Sequence, residues 1–298
     1  MLGVLVLLVA IVAIFIGTRS DDWWRDQLTS ILTQTLGREF EIQGDFHLDL
    51  GRRIVVEAES VRIENPQWTK SRDLLQLGSL ILEFDLLSAL GDTLLIHRLE
   101  LAGIDVVLEE NQEGEQNWVF DIKTSEAPSH KSDAPRSLPL QIEQLAISQA
   151  RLNLIKPGQG HPLVLQIDTI TGAQTPNDEV LLDGSGRFAG LPLALKGKLG
   201  KISDALNLGR VFYQLKGKLG DASLSSKGNI DELVAPYRPQ IDWNISGPEI
   251  QQLTQAIGVP AIAQGPFEAQ MQISPAGDGL SGKLKGKLGT LALDVDVS

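Results

Sequence analysis

Four histidines are the side chains of this sequence best suited to general-base or metal chemistry near neutral pH, and their spacing favours neither. His47, His97, His130 and His161 are scattered, and no two stand at a separation that would place a pair of imidazoles on one metal. Cysteine is absent, which excludes a thiolate nucleophile, a thiolate metal site and a disulfide framework. The adjacent acids Asp21-Asp22 and Glu109-Glu110 read as cap and loop residues rather than as a general acid/base couple. Gly184-Ser185-Gly186 lacks the elbow that surrounds a serine nucleophile, and GxxxxGK[ST] and HExxH are missing. The chain therefore reads as a non-enzyme, with no catalytic residue, no metal and no cofactor expected.

The elements that would position any site follow from composition and period. The chain has 298 residues, a formal net charge of −12 and 42% hydrophobic residues, a length that suggests about two domains. Its 29 Gly and 14 Pro, with few aromatics, favour many short strands and turns. The acidity is concentrated between Glu39 and Asp121, where 18 acids face 6 bases. Leu191 to Gly220 is instead basic, but it offers only Phe212 and Tyr213 as aromatics. That stretch reads as the charged outer face of strands, which also discourages edge pairing, and not as a nucleic-acid surface.

Met1 to Gly17 is an unbroken apolar run, stopped by Thr18, Arg19, Ser20, Asp21 and Asp22. At 1.5 Å per residue it reaches about 25 Å, slightly short of the ~30 Å hydrocarbon core of a bilayer. It lacks the basic n-region and the small-x-small cleavage site of a removable leader, so residues 1–20 read as an uncleaved transmembrane anchor. Trp23 and Trp24 fall where a membrane interface would lie. The missing basic flank points to a natural start upstream of Met1.

Asp21 to Gly37 has an acidic cap, a stripe of Leu28, Ile31, Leu32 and Leu36, and a terminal glycine, which predicts a short helix. From Arg38 the period changes to two, as half-buried antiparallel strands require. Phe40 and Ile42, Phe46 to Leu50, Ile54 to Ala58, Val61 and Ile63, Leu80 to Leu86 and Leu99 to Leu108 all alternate with polar residues. The stretch 123–139, rich in proline and serine and without apolar period, reads as a flexible linker. Strand alternation resumes at 140 and runs to the end, with Lys156-Pro157-Gly158-Gln159-Gly160 as a hairpin turn and Pro248 to Gly258 as a short helix.

The hexapeptide LKGKLG occurs at 195–200, 215–220 and 284–289, and the first two copies are one strand pair apart. In strand geometry Leu193, Leu195, Leu199, Tyr213, Leu215, Leu219, Leu284 and Leu288 point to one face while the intervening lysines point to the other.

The ordered series Leu36-Gly37-Arg38, Ile42-Gln43-Gly44-Asp45, Val61 to Trp68 (VRIENPQW), Phe84-Asp85-Leu86, the strand pair Ile96 to Glu109, and Gly114 to Phe120 (GEQNWVF) resembles the N-terminal region of the AsmA family. The likeness is close over roughly residues 1–122 and looser beyond. It implies an AsmA-like protein similar to the bridge-like lipid transfer proteins, held at the inner membrane by a single span with its body in the periplasm. Trp68 and Trp118 read as structural plugs within these motifs.

The expected fold class is mainly β, an N-terminal transmembrane helix followed by an elongated antiparallel repeating β-groove with a few short helices. The expected division is an anchor at 1–20, an AsmA-like α/β region at 21–122, the linker at 123–139, and a groove region at 140–298 that reads as truncated. The leucine face is the candidate lipid groove, with phospholipid as the partner and traffic toward the outer membrane as the function. Envelope proteins are the other candidate partners, because the same alternation fits a closed β-core in a scaffold or assembly factor for outer-membrane proteins, with no lipid transport. No nucleic-acid partner is expected.

Overall fold

The computed structural model describes residues 20–85, 88, 94–120, 140–158, 161–201, 210–231, 238–258, 264–276, 279–289 and 291–297. The first helix, α1 (Asp21–Leu36), begins at Ser20, whose hydroxyl accepts from the Trp23 amide at 3.3 Å. Asp21 and Asp22 in its first turn complement the helix dipole, and it ends at Gly37, whose φ of 65° is the left-handed geometry glycine allows.

Strands β1 (Phe40–Ile42), β2 (Phe46–Leu50), β3 (Arg53–Glu64), β4 (Asp73–Asp85) and β5 (Leu94–Glu109) form the first part of the sheet. The sheet continues through β6 (Leu140–Ile155), β7 (Leu163–Gln174), β8 (Val180–Phe188), β9 (Leu191–Leu199) and β10 (Val211–Leu219). It is completed by β11 (Ala222–Asp231), β12 (Arg238–Gly247), β13 (Phe267–Ala276), β14 (Gly279–Leu288) and β15 (Leu291–Val297), with helix α2 (Ile250–Ala256) between β12 and β13. All fifteen strands belong to one sheet. Strands β3 to β15 follow chain order within it, and β1 and β2 both pair with β3.

Two features correct the expected fold class. Strands β5 and β6 pair in parallel, Leu94 opposite Leu140 through Glu109 opposite Ile155, so the sheet is not antiparallel throughout. A parallel neighbour needs the chain to return to its starting end between Glu109 and Leu140. The transmembrane helix is the second correction, because among the described residues no helix is long and apolar enough to cross a membrane. Helix α1 has 16 residues and carries Asp21, Asp22, Arg25 and Asp26 in its first two turns, which is too short and too charged for a span. The apolar run of residues 1–17 lies outside the described residues, as does the expected linker at 123–139.

One face of the sheet is apolar from end to end. Strict alternation would lose that face in the longest strands, and three residues at positive φ restore it: Ser60 in β3 (54°), Gly103 in β5 (68°) and Gln149 in β6 (52°). They stand level with one another across the strands, so the pairing stays in step while Ala58 and Val61, or Leu101 and Ile104, reach the same side of the sheet.

At one end α1 lies on this face, with Trp24, Leu28, Leu32 and Leu36 packed on a cluster of Phe40, Phe46, Ala58, Val61 and Leu77. Each of these half-buried helical side chains contributes roughly 1 kcal/mol. Trp24 takes the place the sequence suggested for Ile31, which is 56% exposed. Near the other end α2 sets Ile250 and Leu253 against Ala222, Ile245, Phe267 and Leu288.

Candidate functional site

Between the two helix-covered clusters the apolar face has no covering element among the described residues. Hydrogen-bonded register carries it from strand to strand: Leu165 lies opposite Phe188, Ile170 opposite Gly184, Gly186 opposite Leu193, and Leu195 opposite Gly217. Leu165, Ile167, Ile170, Leu182, Leu195 and Leu215 line a cleft of about 190 Å³ whose walls are almost wholly carbon.

Glycine alternates with leucine across these strands and keeps the cleft open. A Cβ on Gly197 would strike the Gln214 carbonyl, and one on Gly217 would strike the Ala194 carbonyl, so the backbones approach more closely than any side chain there would permit.

The eight leucine-face candidates share this side of the sheet, in different surroundings. Leu193, Leu195 and Leu215 border the cleft or its edge and are half-buried. Leu199 lies opposite both Val180 and Tyr213, and the Tyr213 hydroxyl meets Ser226 Oγ at 3.0 Å. Leu284 is half-buried opposite Met271 and Val295. Leu219 and Leu288 are buried, Leu288 within the cluster beneath α2. Sequence reasoning did not single out Ile170 or Leu182, although Leu182 stands two residues from Val180 and the irregular register between Ile167 and Thr169 brings Ile170 to the same face.

The opposite face is polar and cross-linked by charge. Lys196 meets Asp183 directly across β8 and β9 at 2.7 Å, and the bond to that carboxylate holds the ammonium above its ordinary pKa. Lys283 and Asp296 (3.6 Å) and Lys285 and Asp294 (3.9 Å) repeat the arrangement across β14 and β15. Of the hexapeptide lysines, Lys196 and Lys285 thus sit in cross-strand ion pairs and Lys198 pairs with Glu179, each contributing little at such exposure.

The motif residues of the first 122 positions converge around Asn117, which is fully buried. Its carboxamide donates to Asn65 Oδ1 at 2.8 Å and to the Val107 carbonyl at 2.7 Å, and accepts from the Glu109 amide at 2.8 Å. Arg38 donates to the carbonyls of Asn117 and Val119, and its guanidinium lies 4.4 Å from the centre of the Phe120 ring. Trp68 lines a shallow pocket beside this latch with Gly37, Arg38 and Pro66, and Trp118 is half-buried next to Asn117.

The residues with chemical potential lie apart from one another. His47 Nδ1 meets Asp21 Oδ2 at 2.9 Å, and His97 Nδ1 meets Glu143 Oε2 at 2.9 Å. Glu109 accepts from the Lys70 amide, Glu110 pairs with Lys156, and Ser185 Oγ contacts Thr169 Oγ1 in mid-strand. His130 lies outside the described residues. Trp23 and Trp24 contact each other edge to face at 4.8 Å, and Trp24 also packs on the sheet.

A long sheet with one helix-capped apolar face and one largely polar, ion-paired face defines an extended β-scaffold in which a strip of carbon surface is left uncovered by the described residues. The family comparison agrees with the motif series: the AsmA family model matches residues 1–208, and the chain belongs to the AsmA family. No curated protein and no solved structure matches it.

Proposed function

We propose that the apolar face holds phospholipid acyl chains and passes them along the sheet, in the periplasm at the inner membrane, toward the outer membrane. The observation that carries this reading is the cleft bordered by Leu193, Leu195 and Leu215, whose surface is almost wholly carbon and which lies where neither helix packs. A strip of this kind is costly to leave in water, and each lipid methylene laid on it recovers up to ~0.8 kcal/mol. The ion pairs on the other side keep that face wet, so acyl chains have one side on which to lie. AsmA family membership fits outer-membrane biogenesis and lipid-related roles in general.

Neighbouring residues on opposite faces supply the test. A photo-reactive amino acid at position 195 should cross-link phospholipid in cells, and one at position 196 should not. Equal cross-linking at both positions, or none at 195, overturns the proposal.

A further inference from the structure

On the polar face, at the strand ends nearest Leu199, residues of β9 to β13 line a second and larger hollow of about 610 Å³. Its floor is two parallel rows of side chains. In the first, Lys198, Gln214, Lys227, Asp242 and Gln272 stand directly opposite one another on five successive strands. In the second, Phe212, Asn229 and Gln240 do the same on three.

The charges of the first row are satisfied in place. Lys198 Nζ is 2.7 Å from Glu179 Oε1, Lys227 Nζ is 3.6 Å from Asp242 Oδ2, and Gln272 donates to Asp242 Oδ1 at 3.2 Å. Gln214 and Gln240 have no side-chain hydrogen bond among the described residues, so each presents an amide donor and a carbonyl acceptor to the hollow. Phe212 is 46% exposed, and with Leu181, which stands opposite Lys198 and is 53% exposed, it is a large apolar side chain on the mostly polar face. Its neighbour across the strand pair is Gly200, whose amide donates to the Phe212 carbonyl at 2.8 Å and which has no side chain to cover the ring.

We propose that this hollow binds an uncharged glycan, one sugar ring stacking on Phe212 while its hydroxyls or acetamido groups bond to Gln214 and Gln240. A pyranose has an apolar C–H face for the ring and equatorial polar groups that both donate and accept, which matches carboxamides better than ammonium or carboxylate groups. The volume lies within the usual range for small-ligand sites. Strands repeat about every 4.8 Å across the rows, close to the advance per residue of an extended β-1,4-linked chain, so successive rings can meet successive strands. The site lies on the face away from the lipid strip and does not depend on it.

Saturation-transfer NMR on the full chain, kept free of sugar-headed detergents, tests the assignment with chitotetraose as the soluble probe. A second arm uses phosphatidylcholine vesicles carrying a monoglucosyl diacylglycerol. Transfer to chitotetraose ring protons, with affinity lowered tenfold or more in Phe212→Ala and several-fold in Gln240→Ala, supports a free glycan as ligand. Binding only to the glycolipid vesicles, lost in Phe212→Ala, supports the same site with a lipid-borne sugar. Circular dichroism and lipid cross-linking at position 195 should be unchanged in both variants. No binding to either probe, or binding that Phe212→Ala leaves intact, overturns the proposal.

Discussion

Leu195 of β9 and Gly217 of β10 stand directly opposite each other, and one step along the same pair Gly197 stands opposite Leu215. Two copies of one hexapeptide run antiparallel here, and each glycine receives the leucine of the other copy. The pairing lets the backbones close up while the leucines remain on the surface of the sheet, which turns a simple repeat into a wall of the apolar cleft.

Gly217→Ala should therefore destabilise the chain by about 1–3 kcal/mol, since the new Cβ meets main chain and not a movable side-chain tip. Gly51→Ala, whose Cβ would meet nothing closer than the Arg53 carbonyl at 3.4 Å, should change stability by no more than ~0.5 kcal/mol. Denaturant midpoints at constant slope compare the two, and equal losses would remove the packing role assigned to Gly217.

A charge on the apolar face should be tolerated or not according to what covers it. Leu195→Glu puts a carboxylate where solvent reaches, at a cost of about 1–2 kcal/mol, and should leave the fold intact while blocking lipid. Ile245→Glu buries the charge beneath α2 among Phe267 and Leu288, where about 3–5 kcal/mol is lost. Thermal unfolding of both variants checks the contrast, and unfolding by Leu195→Glu would mark the face as a closed core.

Asn117 has every side-chain hydrogen bond inside the protein, so Asn117→Ala should cost about 2–4 kcal/mol by leaving the Glu109 amide and the Val107 carbonyl unpaired. Asn117→Asp should be worse, because its carboxylate faces Asn65 Oδ1 and the Val107 carbonyl, two acceptors. Equilibrium denaturation ranks the pair, and an Asp variant as stable as the wild type would count against the latch.

The His47–Asp21 bond ties the start of α1 to β2 and should make that contact depend on pH. The Asp21 hydrogen bond raises the His47 pKa above the ordinary 6.5, so this contribution is complete below 6.5 and fades as pH rises through the raised value. The same bond, with help from the Leu48 amide, lowers Asp21 below 3.8, so its contribution is complete above 3.8 and fades as pH falls through the lowered value. Amide protection across residues 21–36, with exchange corrected for its intrinsic pH dependence, should be greatest in mildly acidic solution, and His47→Ala should flatten its fall on the alkaline side. An unchanged profile in that variant would assign the dependence to another group.

Local pattern made much of this fold legible. The change from period 3.6 to period 2 at Arg38 marks the end of α1, and the proline and glycine around 248–258 bracket α2. The leucine face was legible because each strand there is short enough to alternate without a bulge. Pairing partners distant in sequence were not: nothing local in Leu94–Glu109 says that its neighbour is Leu140–Ile155, or that it runs parallel. The Arg38–Asn117 contact spans 79 positions and depends on three separate turns meeting. The polar hollow was also hidden, because its amides and its phenyl ring come from outward positions on four strands, where any polar residue fits the alternation.

Mass spectrometry of lipid bound to the purified full chain, wild type beside Leu195→Glu, tests the lipid-holding face most directly. Stoichiometric phospholipid is expected on the wild type, and little or none on a variant with the same circular dichroism. A folded wild-type chain free of lipid, or equal lipid on both, would contradict it.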